Sequence, residues 1–129
     1  MLTNKAALIT RGSQDSESLE IKLRALSLTP LVDPLIRVTF LKGTELKLEG
    51  VQALLMTSAN GVRAFVKRSK SRNLIVYAVG DGTANEAKNQ GFSSVKSASG
   101  DVVALTKLVN KFVKPENGLL YHIRGSHVA

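Results

Sequence analysis

Short apolar runs recur along this chain, and four times such a run ends in Gly, Ser or Thr. In "AALITRGSQDSESLEIKLRAL" the run Ala6 to Ile9 precedes Leu19, Leu23 and Leu26, spaced four and three apart. In "ALLMTSANGVRAF" the run stops at Thr57, and Val62, Phe65 and Val66 then repeat at helical intervals. "LIVYAVGDGTANEAKNQG" has the same form, with Gly91 suited to close its helix. "LLYHIRGSHVA" supplies a further strand before the last residue. Between these last two, Val95 marks a weak strand and Asp101 a helix N-cap, while Leu105, Leu108, Val109 and Phe112 form one apolar face. Pro115, Asn117 and Gly118 break the chain before the final strand.

Strands that alternate with helices pair in parallel, because each helix carries the chain back across the sheet. The strands are apolar nearly throughout, as expected where helices cover both faces. The pattern therefore predicts an α/β fold, a parallel β-sheet flanked by helices. Residues 1–34 read as a β-α-β unit, 35–50 as a crossover between domains and 51–129 as a second α/β domain. A lone β-α-β unit is too little to build a core by itself.

In such a sheet all strand C-terminal ends lie on one edge, beside helix N-termini whose amides attract anions. "TSAN", "GDGT" and "RGSH" are therefore expected on one rim. The plainer reading of Ser58, Asn60, Thr83 and Ser126 is that they cap helices.

Composition narrows the picture. At 43% hydrophobic and 22% charged, 129 residues suffice for a globular core. No apolar run reaches the roughly 18 residues of a membrane span, and "MLTNKAALITRG" lacks the features of a signal peptide. The absence of cysteine removes disulfides and thiolate chemistry and suits a cytoplasmic protein. The formal charge of +8 attracts polyanions. The densest cluster, "KRSKSR" from Lys67 to Arg72, reads as a solvated helix C-terminus. With aromatics at 5% and no recognition motif, nucleic acid is not indicated as a partner.

No metal constellation, P-loop, G-x-S-x-G elbow or carboxylate pair is present. His122 lies mid-strand as a structural group, and His127 stands on the rim without an evident partner. "GDGTAN" is a partial dinucleotide fingerprint in which Asn85 replaces the third glycine. Asp101, placed where a ribose contact would fall, is better read as a helix cap.

"ALITRG", "LEGVQALLMTSANGVRAF", "VYAVGDGTANEAKNQGF", "GDVVAL" and "LLYHIRGSHVA" follow one another in the order and spacing of uroporphyrinogen-III synthase, and the chain resembles that family along its whole length. The resemblance implies a flavodoxin-like architecture of two α/β domains joined by a two-stranded linker, with the first domain discontinuous. It implies a lyase of heme and other tetrapyrrole synthesis that closes hydroxymethylbilane to uroporphyrinogen III, inverting the last pyrrole and losing water, with no metal or organic cofactor. The substrate carries eight carboxylates and would be held by backbone amides and small polar side chains. By matching motif positions, the implied substrate contacts are Arg11, Ser58, Ala59, Asn60, Gly61, Gly80, Thr83, Gly125 and Ser126. Members of the family are roughly twice as long. The tyrosine that the family places in its cleft would fall beyond Ala129, leaving no assigned catalytic residue. The expectation is thus an N-terminal fragment or truncated product, inactive alone and prone to homo-oligomerise through incomplete edges. The alternatives are a non-catalytic small-molecule-binding α/β module and a nucleotide-binding domain.

Overall fold

The computed structural model describes residues 5–126, and His127 lies outside them. The chain divides into two compact units, Met1–Phe40 and Leu41–Ala129. The division falls inside the stretch 35–50, and no strand forms among residues 33–50, where the family resemblance implies linker strands.

In the first unit, β1 (Ala6–Ile9) pairs in parallel with β2 (Thr29–Val32), and α1 (Glu17–Ala25) connects them. One face of this pair holds Ile9, 3% exposed, and the buried Pro30. On the opposite face the register partners Leu8 and Leu31 stand side by side, 63% and 52% exposed. Helix α1 ends in a left-handed residue, Ser27 at φ 59°. The Ser27 N–H reaches the Arg24 carbonyl and the Leu28 N–H the Leu23 carbonyl, each at 3.0 Å, satisfying two of the helix's last carbonyls.

The second unit is a four-stranded sheet in the order β5-β4-β3-β6, formed by β3 (Val51–Met56), β4 (Ile75–Ala78), β5 (Val95–Ser97) and β6 (Leu119–Ile123). Every pairing is parallel. The helices α2 (Ala59–Arg68) and α3 (Asp81–Asn89) cover one face, burying Leu54, Met56, Val62, Phe65, Val76, Ala87 and Phe92. On the other face α4 (Val102–Phe112) buries Ala53 and Tyr77 under Leu105 and Val109. Successive β3 residues serve opposite cores, which is why "ALLM" has no polar alternation. Leu46 and Leu48 pack against the first of these clusters, so residues 41–50 lie with the sheet rather than free of it.

Two surface expectations change. Phe112 follows Leu105 and Val109 in period, yet it is 46% exposed, with the Lys96 Nζ of β5 lying 4.2 Å from its ring centre. It overhangs the three-residue β5, where a cation instead of an apolar strand lies beneath it. Arg72, the last of the "KRSKSR" cluster, is not simply solvated. It donates to the carbonyls of Ser69, Ser71 and Gln90 and lies 5.1 Å from the centre of the Phe92 ring.

Candidate functional site

Register brings the strand ends together. Met56 pairs with Ala78 on one side and with Ile123 on the other, and Ala78 pairs with Ser97. Four strands thus finish level on a single border. Beyond them, the Val79 N–H donates to the Met56 carbonyl at 3.1 Å, and the Gly100 N–H to the Val79 carbonyl at 3.1 Å. These bonds stitch the outgoing loops side by side, so the turns at Thr57–Ser58, Val79–Gly80, Ala98–Ser99 and Arg124–Gly125 share the rim.

Three helices begin there, each finished differently. Ser58 is the N-cap of α2, its Oγ accepting from the Gly61 N–H at 3.1 Å. Asp101 is the N-cap of α4, its carboxylate accepting from the Ala104 N–H at 2.9 Å. Helix α3 starts at Gly80 with no side-chain cap. Its first amides have no acceptor within the helix, and the same holds for Ala59 and Asn60 at the start of α2.

Beside α3, Asp81 turns its Oδ1 to the Ser97 and Ser99 hydroxyls, which donate at 2.6 and 2.9 Å. Those two bonds, the Ser97 bond foremost, hold the Asp81 carboxyl below its ordinary value of 3.8. Ser99, at φ 50°, adopts the left-handed conformation that closes this loop.

The expected contacts separate on inspection. Ser58, exposed, and Ala59 and Asn60, both half-buried, cluster at the α2 terminus, with Gly80 beside them on the rim. Gly125 and Ser126 follow β6 and are exposed there. Gly61 is buried, and a methyl at its Cα would lie 3.3 Å from the Ile123 carbonyl oxygen. Its amide is taken by Ser58, so Gly61 serves the close approach of α2 to β6. Thr83 is 7% exposed within α3, leaving its hydroxyl little surface. Arg11 belongs to the first unit, where its guanidinium donates to the Asp15 carbonyl at 3.3 Å.

Ser58 bears out the capping reading directly, whereas Asn60 does not cap. The Asn60 Oδ1 accepts from the Arg63 Nη1 at 3.0 Å. Arg63 Nη2 in turn meets the Glu86 Oε2 on α3 at 3.1 Å, with both side chains more than four-fifths buried. Glu86 takes a further bond from Gln90 Nε2 at 2.9 Å. Sequence reading missed this chain of contacts: Arg63 stands three residues from Asn60, but nothing local reveals that α3 brings Glu86 alongside.

Neither tyrosine among the described residues ends at the rim. Tyr77 is buried under α4, which pushes its hydroxyl pKa up, and Tyr121 packs against the α2/α3 core. His122 is exposed. Among the described residues no group of three or more His, Cys, Asp or Glu could hold a metal, and no helix is long and apolar enough to cross a membrane. Asp101 caps α4 through the Ala104 N–H, the role its position in the sequence suggested.

Residues 17–129 match the family described as uroporphyrinogen-III synthase HemD. The chain belongs to that family. Among curated proteins none matches it. Membership in the uroporphyrinogen-III synthase family associates the chain with lyase-type enzymes of tetrapyrrole biosynthesis, and the parallel sheet flanked by helices is consistent with that family's fold. The densest basic cluster, Lys67 to Arg72, lies at the far end of α2, one helix length from the rim, or about 15 Å at the usual rise per residue. The basic cluster could reach a group at the rim only through longer-range attraction, whereas Arg124, which follows β6 there, is exposed.

Proposed function

We propose that the chain acts on hydroxymethylbilane, closing it to uroporphyrinogen III with inversion of the last pyrrole and release of one water. The observation that carries this reading beyond family membership is the alignment of four strand ends on one border, with the α3 N-terminus lacking a side-chain cap. Acetate and propionate arms find matched donors there: the amides of Ala59, Asn60 and Gly82, the Ser58 hydroxyl, the Asn60 carboxamide, and the backbone about Gly80 and Gly125. Ser126 belongs to the same set. The chemistry asks for little more than this. Protonation and loss of the hydroxymethyl oxygen as water leave a cationic methylene. Attack on it by the free carbon of the last pyrrole, with loss of that carbon's proton, gives the type I ring. Attack by the substituted carbon instead gives a spiro intermediate, whose original bridge bond breaks and recloses at the free carbon, with loss of its proton, to invert that pyrrole. A protein that fixes the carboxylate arms, and through them the ring conformation, selects the attacking carbon by positioning.

Incubation of the chain with hydroxymethylbilane, followed by separation of the type I and type III isomers, tests the proposal. Type III in excess over the buffer control supports it. An isomer distribution equal to that control, under conditions where the chain is folded, refutes it.

A further inference from the structure

We infer that Arg63, braced by Glu86, is a positioning residue that fixes the Asn60 carboxamide with its N–H2 group turned to the rim as a carboxylate donor. A carboxamide has one accepting and one donating end, and a neighbour decides which faces out. Arg63 has only donors to offer, so Asn60 presents Oδ1 to it at 3.0 Å and keeps Nδ2 for the other side. Arg63 cannot swing freely, because its Nη2 is held at 3.1 Å by the Glu86 Oε2, and the two side chains are only 17% and 16% exposed. Glu86 is fixed at its other oxygen by Gln90 Nε2 at 2.9 Å. The line Gln90–Glu86–Arg63–Asn60 thus runs from the last turn of α3 to the first turn of α2. Without Arg63 the amide is free to flip and present its oxygen, which repels a carboxylate. The inference rests on the proposed function only for the identity of the ligand, a polycarboxylate.

Substitution can set stability and binding in opposite directions. Asn60→Asp gives Arg63 a charged partner and places an acid in the first turn of α2, which favours the fold. It also replaces the outward donor with a carboxylate oxygen. The full chain is titrated with two probes: uroporphyrin III, and mellitate, a benzene ring bearing a carboxylate at every carbon. Asn60→Asp is expected to weaken binding by about tenfold or more while the melting temperature holds or rises. The double variant Arg63→Met with Glu86→Leu replaces the ion pair with apolar groups and so restores the packing between α2 and α3. It is expected to recover stability lost in Arg63→Met alone yet to bind as weakly as that single variant.

Binding that returns together with stability in the double variant overturns the inference and makes Arg63 a strut between helices. Unchanged affinity in Asn60→Asp overturns it as well, as does a wild-type chain that binds neither probe. A wild-type chain that binds mellitate but not uroporphyrin sinks the tetrapyrrole reading, and the variants still decide the inference on mellitate. Conversely, uroporphyrin bound equally by wild type and Asn60→Asp upholds that reading and removes the role of Asn60.

Discussion

Gly118→Ala and Gly82→Ala are the same chemical change with opposite expected signs. Gly118 lies at φ 127° and ψ −170°, a region that residues with a Cβ rarely adopt, and occupying it costs about 1–3 kcal/mol. A methyl there would also collide with the Gly50 carbonyl oxygen. That oxygen accepts the Leu119 N–H at 2.7 Å, the bond that starts the pairing of β6 with β3. Gln52 Nε2 reinforces the corner by donating to the Gly118 carbonyl and, at 2.8 Å, to Lys114. Losing one or two of these bonds adds about 0.5–1.5 kcal/mol each. Gly118→Ala should therefore cost about 1.5–6 kcal/mol, a large share of the 5–15 kcal/mol that a domain typically has. At Gly82 a new methyl meets nothing within 4 Å and enters a helix, so Ala should be neutral or stabilising by up to about 1 kcal/mol. Urea unfolding of both variants, followed by circular dichroism at several protein concentrations, gives the comparison. A Gly118→Ala variant within about 1 kcal/mol of wild type would refute the reasoning.

Two further outcomes follow from the helix starts. Asp101→Ala removes the cap on the Ala104 amide and should cost about 1 kcal/mol in the unfolding midpoint, with Asp101→Asn recovering most of it; equal losses in both would point to charge instead of the cap. Asp81 has a folded-state pKa below its ordinary 3.8, so its stabilisation is complete at neutral pH and is lost as pH falls through that lowered value. The stability difference between wild type and Asp81→Asn should be flat above about pH 5 and shrink in stronger acid. A difference that grows on acidification contradicts the assigned sign.

The sheet was legible because its strands are apolar throughout and its helices periodic, and parallel pairing then required the strand ends to share a border. Asp101 announced itself as a cap by position, and Gly91 does lie at φ 94° just beyond α3. Other features depended on contacts that no local pattern encodes. The turn after α1 uses Ser27 where glycine is the usual signal, so its left-handed residue was invisible. Phe112 kept the helical period, but which strand lay under it depended on the length of β5. Among the candidate contacts, Gly61 and Thr83 lie in motifs that also pack α2 and α3 onto the sheet, and their burial follows from that packing. Arg63 and Glu86 are separated by 23 residues and become partners only when α2 and α3 lie side by side.

Capping and ligand contact are usually weighed as rivals for a small polar residue at a helix start. The α2 terminus shows how one side chain can serve both. Ser58 Oγ spends a lone pair on the Gly61 N–H, and its own hydroxyl proton remains available to donate. Asn60 spends its carbonyl oxygen on Arg63 and retains two amide protons. In each case the acceptor faces the protein and a donor faces outward, the polarity that a carboxylate ligand needs. The two aspartates on the rim lack this property. An ionised carboxylate has acceptors only, so Asp101 at α4 and Asp81 at α3 add negative charge wherever they cap or brace. The rim is consequently unequal along its length: the α2 terminus carries no acid, the open amides of α3 lie beside Asp81, and the α4 terminus is capped by Asp101. On the proposed reading, a carboxylate arm at Ser58 and Asn60 meets donors without an opposing acid, whereas an arm at the open α3 amides shares that terminus with Asp81.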